Sequence, residues 1–243
     1  MGKFELHLIT EPKRNFADLF GAVRPAVEAG VDWVQLRDKS ASALAMYRQS
    51  LDLRQMLSTT PSPAAAGEGW GEGAHHARLS INDRLDVALA CGADGVHLAA
   101  QSLPVSNARS VAGGLLVGRS VHSLDEAQTA VADGAGYITF GHVFPSTSKP
   151  GLEPRGIAQL AEIVQAVDVP VLAIGGINLA NLDQVLATGC AGIAVISAIL
   201  AAPDPGHAAA ELRRALDGSP HQPRRPFISL EDAHALDRQP TTV

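Results

Sequence analysis

Residues 137–156 read YITFGHVFPSTSKPGLEPRG. An apolar run ends at Gly141-His142 and opens into a Ser/Thr-rich loop, broken by Gly and Pro, that carries Lys149 and Arg155. His142 can exchange a proton near neutral pH. The hydroxyls and the lysine can donate several hydrogen bonds to a phosphate. The segment therefore offers acid–base chemistry on an anionic ligand. Loops held by a rigid scaffold are where such groups commonly stand.

Other stretches suit an anion as well. Gly175 and Gly176 follow one apolar run, and Ile196-Ser197 end another. Glycine lets backbone N–H groups come close to an anion, and a following helix start adds a favourable dipole. We read Gly175, Gly176, Ile196 and Ser197 as a phosphate cup, against the plainer reading of a tight glycine turn. In QLRDK, residues Gln35, Arg37 and Lys39 alternate and share one face of an extended segment. Burying that face requires an anionic partner; a solvated strand end is the alternative. Asn82-Asp83 either cap the following helix or meet a ligand. His122, after GRSV, is a candidate pocket residue, whereas His7 and His97 sit inside short apolar runs and read as satisfied interior histidines.

These residues need elements to position them. The segments 28–38, 90–100, 132–142 and 187–197 share one pattern: a helix end, a glycine stop, a short linker and an apolar strand. Further strands are predicted over 6–9, 79–81, 115–118 and 171–174. Helices are predicted over 16–28, 41–57, 84–91, 105–112, 124–132, 157–166, 182–188 and 206–216. Strict alternation implies a parallel sheet. Eight such units in a chain of 243 residues favour a single (β/α)8 TIM barrel over an open doubly wound sheet.

Domain organisation follows: a barrel over 1–216 and a tail over 217–243. A flexible Gly/Pro/Ala-rich insertion interrupts the barrel at about 59–78, on the face opposite the expected site. His75 and His76 in that insertion read as solvated. The Pro-rich tail is expected to be disordered or to form a short helix over 230–236, capped by Ser229 with Asp232. A net charge of −6 argues against a nucleic-acid partner. No apolar run approaches a membrane span, and no secretory signal opens the chain. Cys91 and Cys190 read as reduced thiols of a cytoplasmic protein.

QLRDK, INDRLDVALACGADGVHL, GRSVHS, FGHVFPSTSKPG, IGGI and AVISAI together resemble the thiamine phosphate synthase and thiazole tautomerase superfamily, over roughly 5–200 apart from the insertion. The resemblance implies a (β/α)8 barrel in thiamine biosynthesis. In the synthases, which join a pyrimidine pyrophosphate to a thiazole phosphate, magnesium sits on two aspartates. One matches Asp83. The other lies in a motif like VHLGQEDLP, where this chain reads VHLAAQSLP and places Ser102. The synthases also tend to carry Gly-Pro where this chain has Gly141-His142. GRSVHS, FGHVF and the GLEPRG-like run resemble the tautomerases instead, in which the histidine matching His142 is implicated in proton transfer.

The expectation is accordingly a thiazole tautomerase, an isomerase acting on a small phosphorylated thiazole substrate. In it His142 would be catalytic and no cofactor would be required. Thiamine phosphate synthase, with Mg2+ on Asp83, is the alternative; Gln35, Arg37, Lys39, Asn82, Asp83 and Lys149 match its pyrophosphate-binding set. A non-catalytic regulator binding a ligand of the thiamine pathway is the third reading. Barrels of this kind often form homodimers; the sequence does not decide the oligomeric state.

Overall fold

The computed structural model describes residues 2–11, 16–61, 76–146, 148–149 and 151–227. Strand and helix alternate: β1 (Glu5–Ile9), α1 (Phe16–Glu28), β2 (Trp33–Leu36), α2 (Ala43–Thr59), β3 (Arg78–Asn82), α3 (Leu85–Cys91), β4 (Gly95–Leu98), α4 (Val105–Arg109). The second half continues as β5 (Leu116–Val121), α5 (Leu124–Ala132), β6 (Tyr137–Gly141), α6 (Gly156–Ala166), β7 (Val171–Ile174), α7 (Leu182–Leu186), β8 (Gly192–Val195), α8 (Ser197–Leu200) and α9 (Pro205–Asp217). All eight strands are parallel, and β8 returns to pair with β1, so the sheet closes into a barrel. The fold is the expected (β/α)8 barrel.

Alternation along each strand divides the side chains between two environments. On β6, Ile138 and Phe140 are fully buried under the helices. Tyr137 and Thr139, on the other face, meet His97 inside the barrel. Barrel interiors are usually filled by branched aliphatic residues. Here the lower interior is aromatic and polar, with His7 stacked on Trp33 at 5.7 Å.

Charge pairing ties the ends of the chain beneath the barrel. The Asp32 carboxylate accepts from the Leu6 N–H at 2.7 Å and from Arg213 Nη1 at 3.1 Å, and lies 3.3 Å from Lys3 Nζ. Burial raises its pKa, the nearby Glu5 adds to this, and Lys3 and Arg213 oppose it. Helix α9 starts with ordinary capping chemistry: Asp204 accepts from the His207 N–H at 2.9 Å, with Pro205 opening the helix.

The short helix α8 carries no recognisable period in the sequence. Helix α4 is shorter than expected, stopping at Arg109. The insertion leaves α2 at Thr59 and rejoins β3 through a bridge between Pro61 and His76. Its remainder (62–75, with His75) and the expected helix over 230–236 lie outside the described residues. Cys91 and Cys190 are both free and buried. Among the described residues no helix is long and apolar enough to cross a membrane.

Candidate functional site

A cavity of about 310 Å3 opens at the C-terminal ends of the strands. Its wall on the β2 side is the QLRDK segment. Gln35 is buried and its amide donates to Asn82 Oδ1 at 2.9 Å. The Arg37 N–H donates to the buried Thr10 hydroxyl at 2.8 Å, which ties the end of β2 to the end of β1. Asp38 Oδ1 accepts from the Ser40 and Ala41 N–H groups at 2.8 and 3.1 Å and closes the turn that follows. Arg37, Lys39 and Lys149 all line the cavity. The Lys149 ammonium is held below its usual pKa by burial, and by the cations of Arg155, Lys39 and Arg37. Four like charges converging here, with Arg37 and Lys149 part-buried and Lys39 and Arg155 exposed, suit a highly charged anion.

A second wall, on the β7 and β8 side and separated from β2 by β1, is the cup formed by Gly175, Gly176, Ile196 and Ser197, all of which line the cavity. Gly176 has φ 69°, and a Cβ built there would sit 2.4 Å from the Pro145 carbonyl oxygen, so glycine is required on both counts. Asn181 braces the turn: its amide donates to the Gly176 carbonyl at 2.9 Å and its Oδ1 accepts from the Asn178 N–H at 2.8 Å. Helix α8 starts at Ser197, giving the loop after β8 the short extra helix that barrels use at phosphate sites.

His142, after β6 and beside the cup, lines the cavity and is buried. Its Nε2 lies 3.1 Å from the Leu152 carbonyl oxygen, which can only accept, so Nε2 carries the hydrogen. Nδ1 is buried without a partner among the described residues. His122 also lines the cavity, with Nδ1 2.7 Å from the Gly141 carbonyl oxygen. Its backbone N–H donates to Glu126 Oε2 at 2.6 Å, while Ser123 Oγ caps the Glu126 N–H, a variant of the capping box that fixes the histidine at the start of α5. Burial lowers the His122 pKa most; Lys149 and Arg155 lower it further.

The floor holds residues the motif reading did not single out as ligand-facing: His97, Ser120 and Thr139. His97 Nδ1 is 3.0 Å from the Tyr137 hydroxyl, and Nε2 is 2.8 Å from Ser120 Oγ. Burial drives the His97 pKa down to about 3, so the ring is neutral. Tyr137 is buried and has no other acceptor among the described residues, so its hydrogen goes to Nδ1. His97 therefore carries its proton on Nε2 and donates it to Ser120. Thr139 also donates to Ser120 Oγ, at 3.3 Å. The hydrogen of Ser120 is left to point elsewhere. Strand alternation with His122 could have revealed Ser120. Glu11 lines the mouth after β1, and no motif marks it.

Asp83 stands beside the cavity rather than on its wall. It adopts a left-handed conformation, φ 64°, after β3. Its Oδ1 accepts from the Ala99 N–H at 2.9 Å and from the Ser102 hydroxyl, and its Oδ2 from Asn82 Nδ2 at 2.6 Å. Among the described residues no group of three His, Cys, Asp or Glu side chains could hold a metal ion.

Residues 6–199 match the family model described as thiamine monophosphate synthase. The putative thiamine-phosphate synthase of Geobacter sulfurreducens is 43% identical over 205 residues, covering 83% of this chain and 89% of that protein. The thiamine-phosphate synthase of Pyrococcus abyssi is 40% identical over 215 residues, covering 88% and 96%. The solved thiamine phosphate pyrophosphorylase from Pyrococcus furiosus is 37% identical, covers 89% of this chain and 96% of its own, and superposes with a TM-score of 0.75. These relatives overturn the expected isomerase. GRSVHS and FGHVF, which favoured the tautomerase, do not decide the branch. The similarity that spans the whole barrel runs to proteins named as synthases. The chain belongs to the thiamine monophosphate synthase family.

Proposed function

We propose that this protein is a thiamine-phosphate synthase, joining a hydroxymethylpyrimidine pyrophosphate to a thiazole phosphate with release of pyrophosphate. One observation carries the reading: a single cavity is lined both by a cluster of cations, Arg37, Lys39 and Lys149, and by a cup of Gly176, Ile196 and Ser197. An isomerase acting on a carboxylate phosphate would bring only a carboxylate to the cations, whereas a pyrophosphate matches their combined charge. Coupling sets one phosphorylated reactant at each, and holding the two reactants in one geometry is itself a large part of the rate gain.

In this reading the cup takes the thiazole phosphate through backbone N–H groups and the Ser197 hydroxyl. The cation cluster takes the pyrophosphate and stabilises the charge that develops as it leaves. Gln35, Asn82 and the Ser120 hydroxyl offer hydrogen bonds to the ring between them. His142 offers its buried Nδ1 as a hydrogen-bonding group.

The donor set fits magnesium in a reduced form. Asp83 supplies one charged oxygen ligand, and Ser102 supplies only a neutral hydroxyl, already donated to Asp83. Magnesium commonly binds through one or two carboxylates plus substrate phosphates. Asp83 would hold the ion together with the pyrophosphate, whose charge the ion would neutralise. The reading is tested by titrating thiazole phosphate into protein saturated with pyrophosphate and magnesium. Both anions are expected to bind at once. Mutual exclusion would contradict the placing of one reactant at the cations and one at the cup.

A further inference from the structure

The opposite end of the barrel is closed by the chain's own C-terminal segment. After α9, residues 218–227 run back beneath the strands. The Arg224 N–H donates to the Gly189 carbonyl at 2.8 Å, Arg225 pairs with Asp168 at 2.5 Å, and His221 Nε2 is 3.2 Å from Asp183. Pro226 occupies the space a side chain at residue 2 would need. The strap ends its described course at Phe227, whose ring centroid is 5.3 Å from His7 and 5.4 Å from Tyr137. The family match stops at residue 199, so the strap lies beyond it.

This plug reaches the pocket floor through Tyr137. Tyr137 packs against Phe227 with its ring and reaches His97 with its hydroxyl. Its ring has room because residue 118 is glycine: a Cβ there would lie 2.1 Å from the phenol Cζ. His97 in turn holds Ser120, which lines the cavity. The direction of every hydrogen in this column depends on one condition. The Tyr137 hydroxyl must have no acceptor other than His97, and a water reaching it from below would supply one.

We propose that Phe227 is a positioning residue for the pocket. By sealing the barrel from below it keeps Tyr137 dry and in place, fixes the Nε2–H tautomer of His97, and so leaves the Ser120 hydroxyl as a hydrogen-bond donor toward a bound ligand. Only the activity arm of the test rests on the synthase reading.

The test is a long-range proton–nitrogen correlation spectrum of histidine-labelled protein. Wild type is expected to show His97 as one tautomer, protonated on Nε2, unchanged from pH 6 to 8. Phe227→Ala is expected to give mixed His97 tautomers. Tyr137→Phe, which keeps the packing and deletes the hydroxyl, is expected to do the same. Both should lower kcat/KM for the coupling reaction by about 2–10-fold, the value of one hydrogen bond. A folded Phe227→Ala with the wild-type His97 pattern would overturn the proposal, as would a Tyr137→Phe spectrum that keeps the single tautomer. If Phe227→Ala does not fold, Phe227→Val, which keeps part of the buried volume but is too small to close the barrel end, is read the same way. If wild type shows no coupling activity, the functional reading fails while the spectra still decide the role of Phe227.

Discussion

The two ends of this barrel handle polar groups in opposite ways. At the N-terminal end, charged and polar groups are largely paired: Asp32 with Arg213 and Lys3, and Glu5 with His7 under the Phe227 plug, with Arg213 Nε buried without a partner among the described residues. At the C-terminal end, groups are left open. Arg37, Lys39, Lys149 and Arg155 crowd together, and His142 Nδ1 is buried without a partner among the described residues. The comparison separates what holds the fold from what it holds ready. Unpaired groups cost stability, and a largely paired opposite end lets the mouth keep them for a ligand. Substitutions at the two ends should therefore split cleanly between stability and activity.

The largest effect is expected below. Arg213→Ala strands the buried Asp32 carboxylate, and breaking such a pair costs about 3–5 kcal/mol. Urea unfolding should show that loss, while kcat/KM of the folded fraction stays within about twofold, because the pair does not touch the cavity. The next effect is expected above. Lys149→Ala removes a charge-assisted hydrogen bond to pyrophosphate, worth about 1.5–3 kcal/mol, so kcat/KM should fall about 10–150-fold. The urea midpoint should hold or rise, because a desolvated cation among cations is gone.

Acidification sharpens the comparison at the junction of the two ends. His97 has its pKa depressed to about 3 in the fold, so the unfolded chain binds the extra proton first as pH drops. The stability it contributes is full above the unfolded histidine value of about 6.5 and is lost as pH falls toward the folded value, at no more than about 1.4 kcal/mol per pH unit. Urea unfolding between pH 7 and 5 should show that slope, and His97→Asn should flatten it. A smaller effect is expected at Ser102. Ser102→Asp replaces a hydroxyl donated to Asp83 with a second carboxylate. Calorimetric titration of magnesium with pyrophosphate should show tighter binding, by about tenfold. Unchanged affinity would mean that residue 102 does not face the ion.

Much of this was legible in the sequence. Helix α5 and strand β7 lie within the bounds their apolar pattern predicts, because their caps and glycine stops are local signals. The glycines after β7 and the alternating polar residues of β2 pointed to the cavity for the same reason. What escaped depends on distant partners. Phe227 meets His7 and Tyr137 across most of the chain, and no local pattern announces that docking. Ser120 and Thr139 become floor residues only when β4, β5 and β6 bring them to His97. Helix α8 is too short to show a period. The reaction type escaped for a different reason. His142 and Ser102 are two positions, whereas the similarity to proteins named as synthases runs over most of the chain.

The most direct measurement mixes purified protein with hydroxymethylpyrimidine pyrophosphate, thiazole phosphate and magnesium, and quantifies both products over time. Thiamine phosphate and pyrophosphate appearing in equal amounts, with both lost in chelator, is the expected result. Absence of both products above the protein-free control would contradict the assignment of this cavity to coupling.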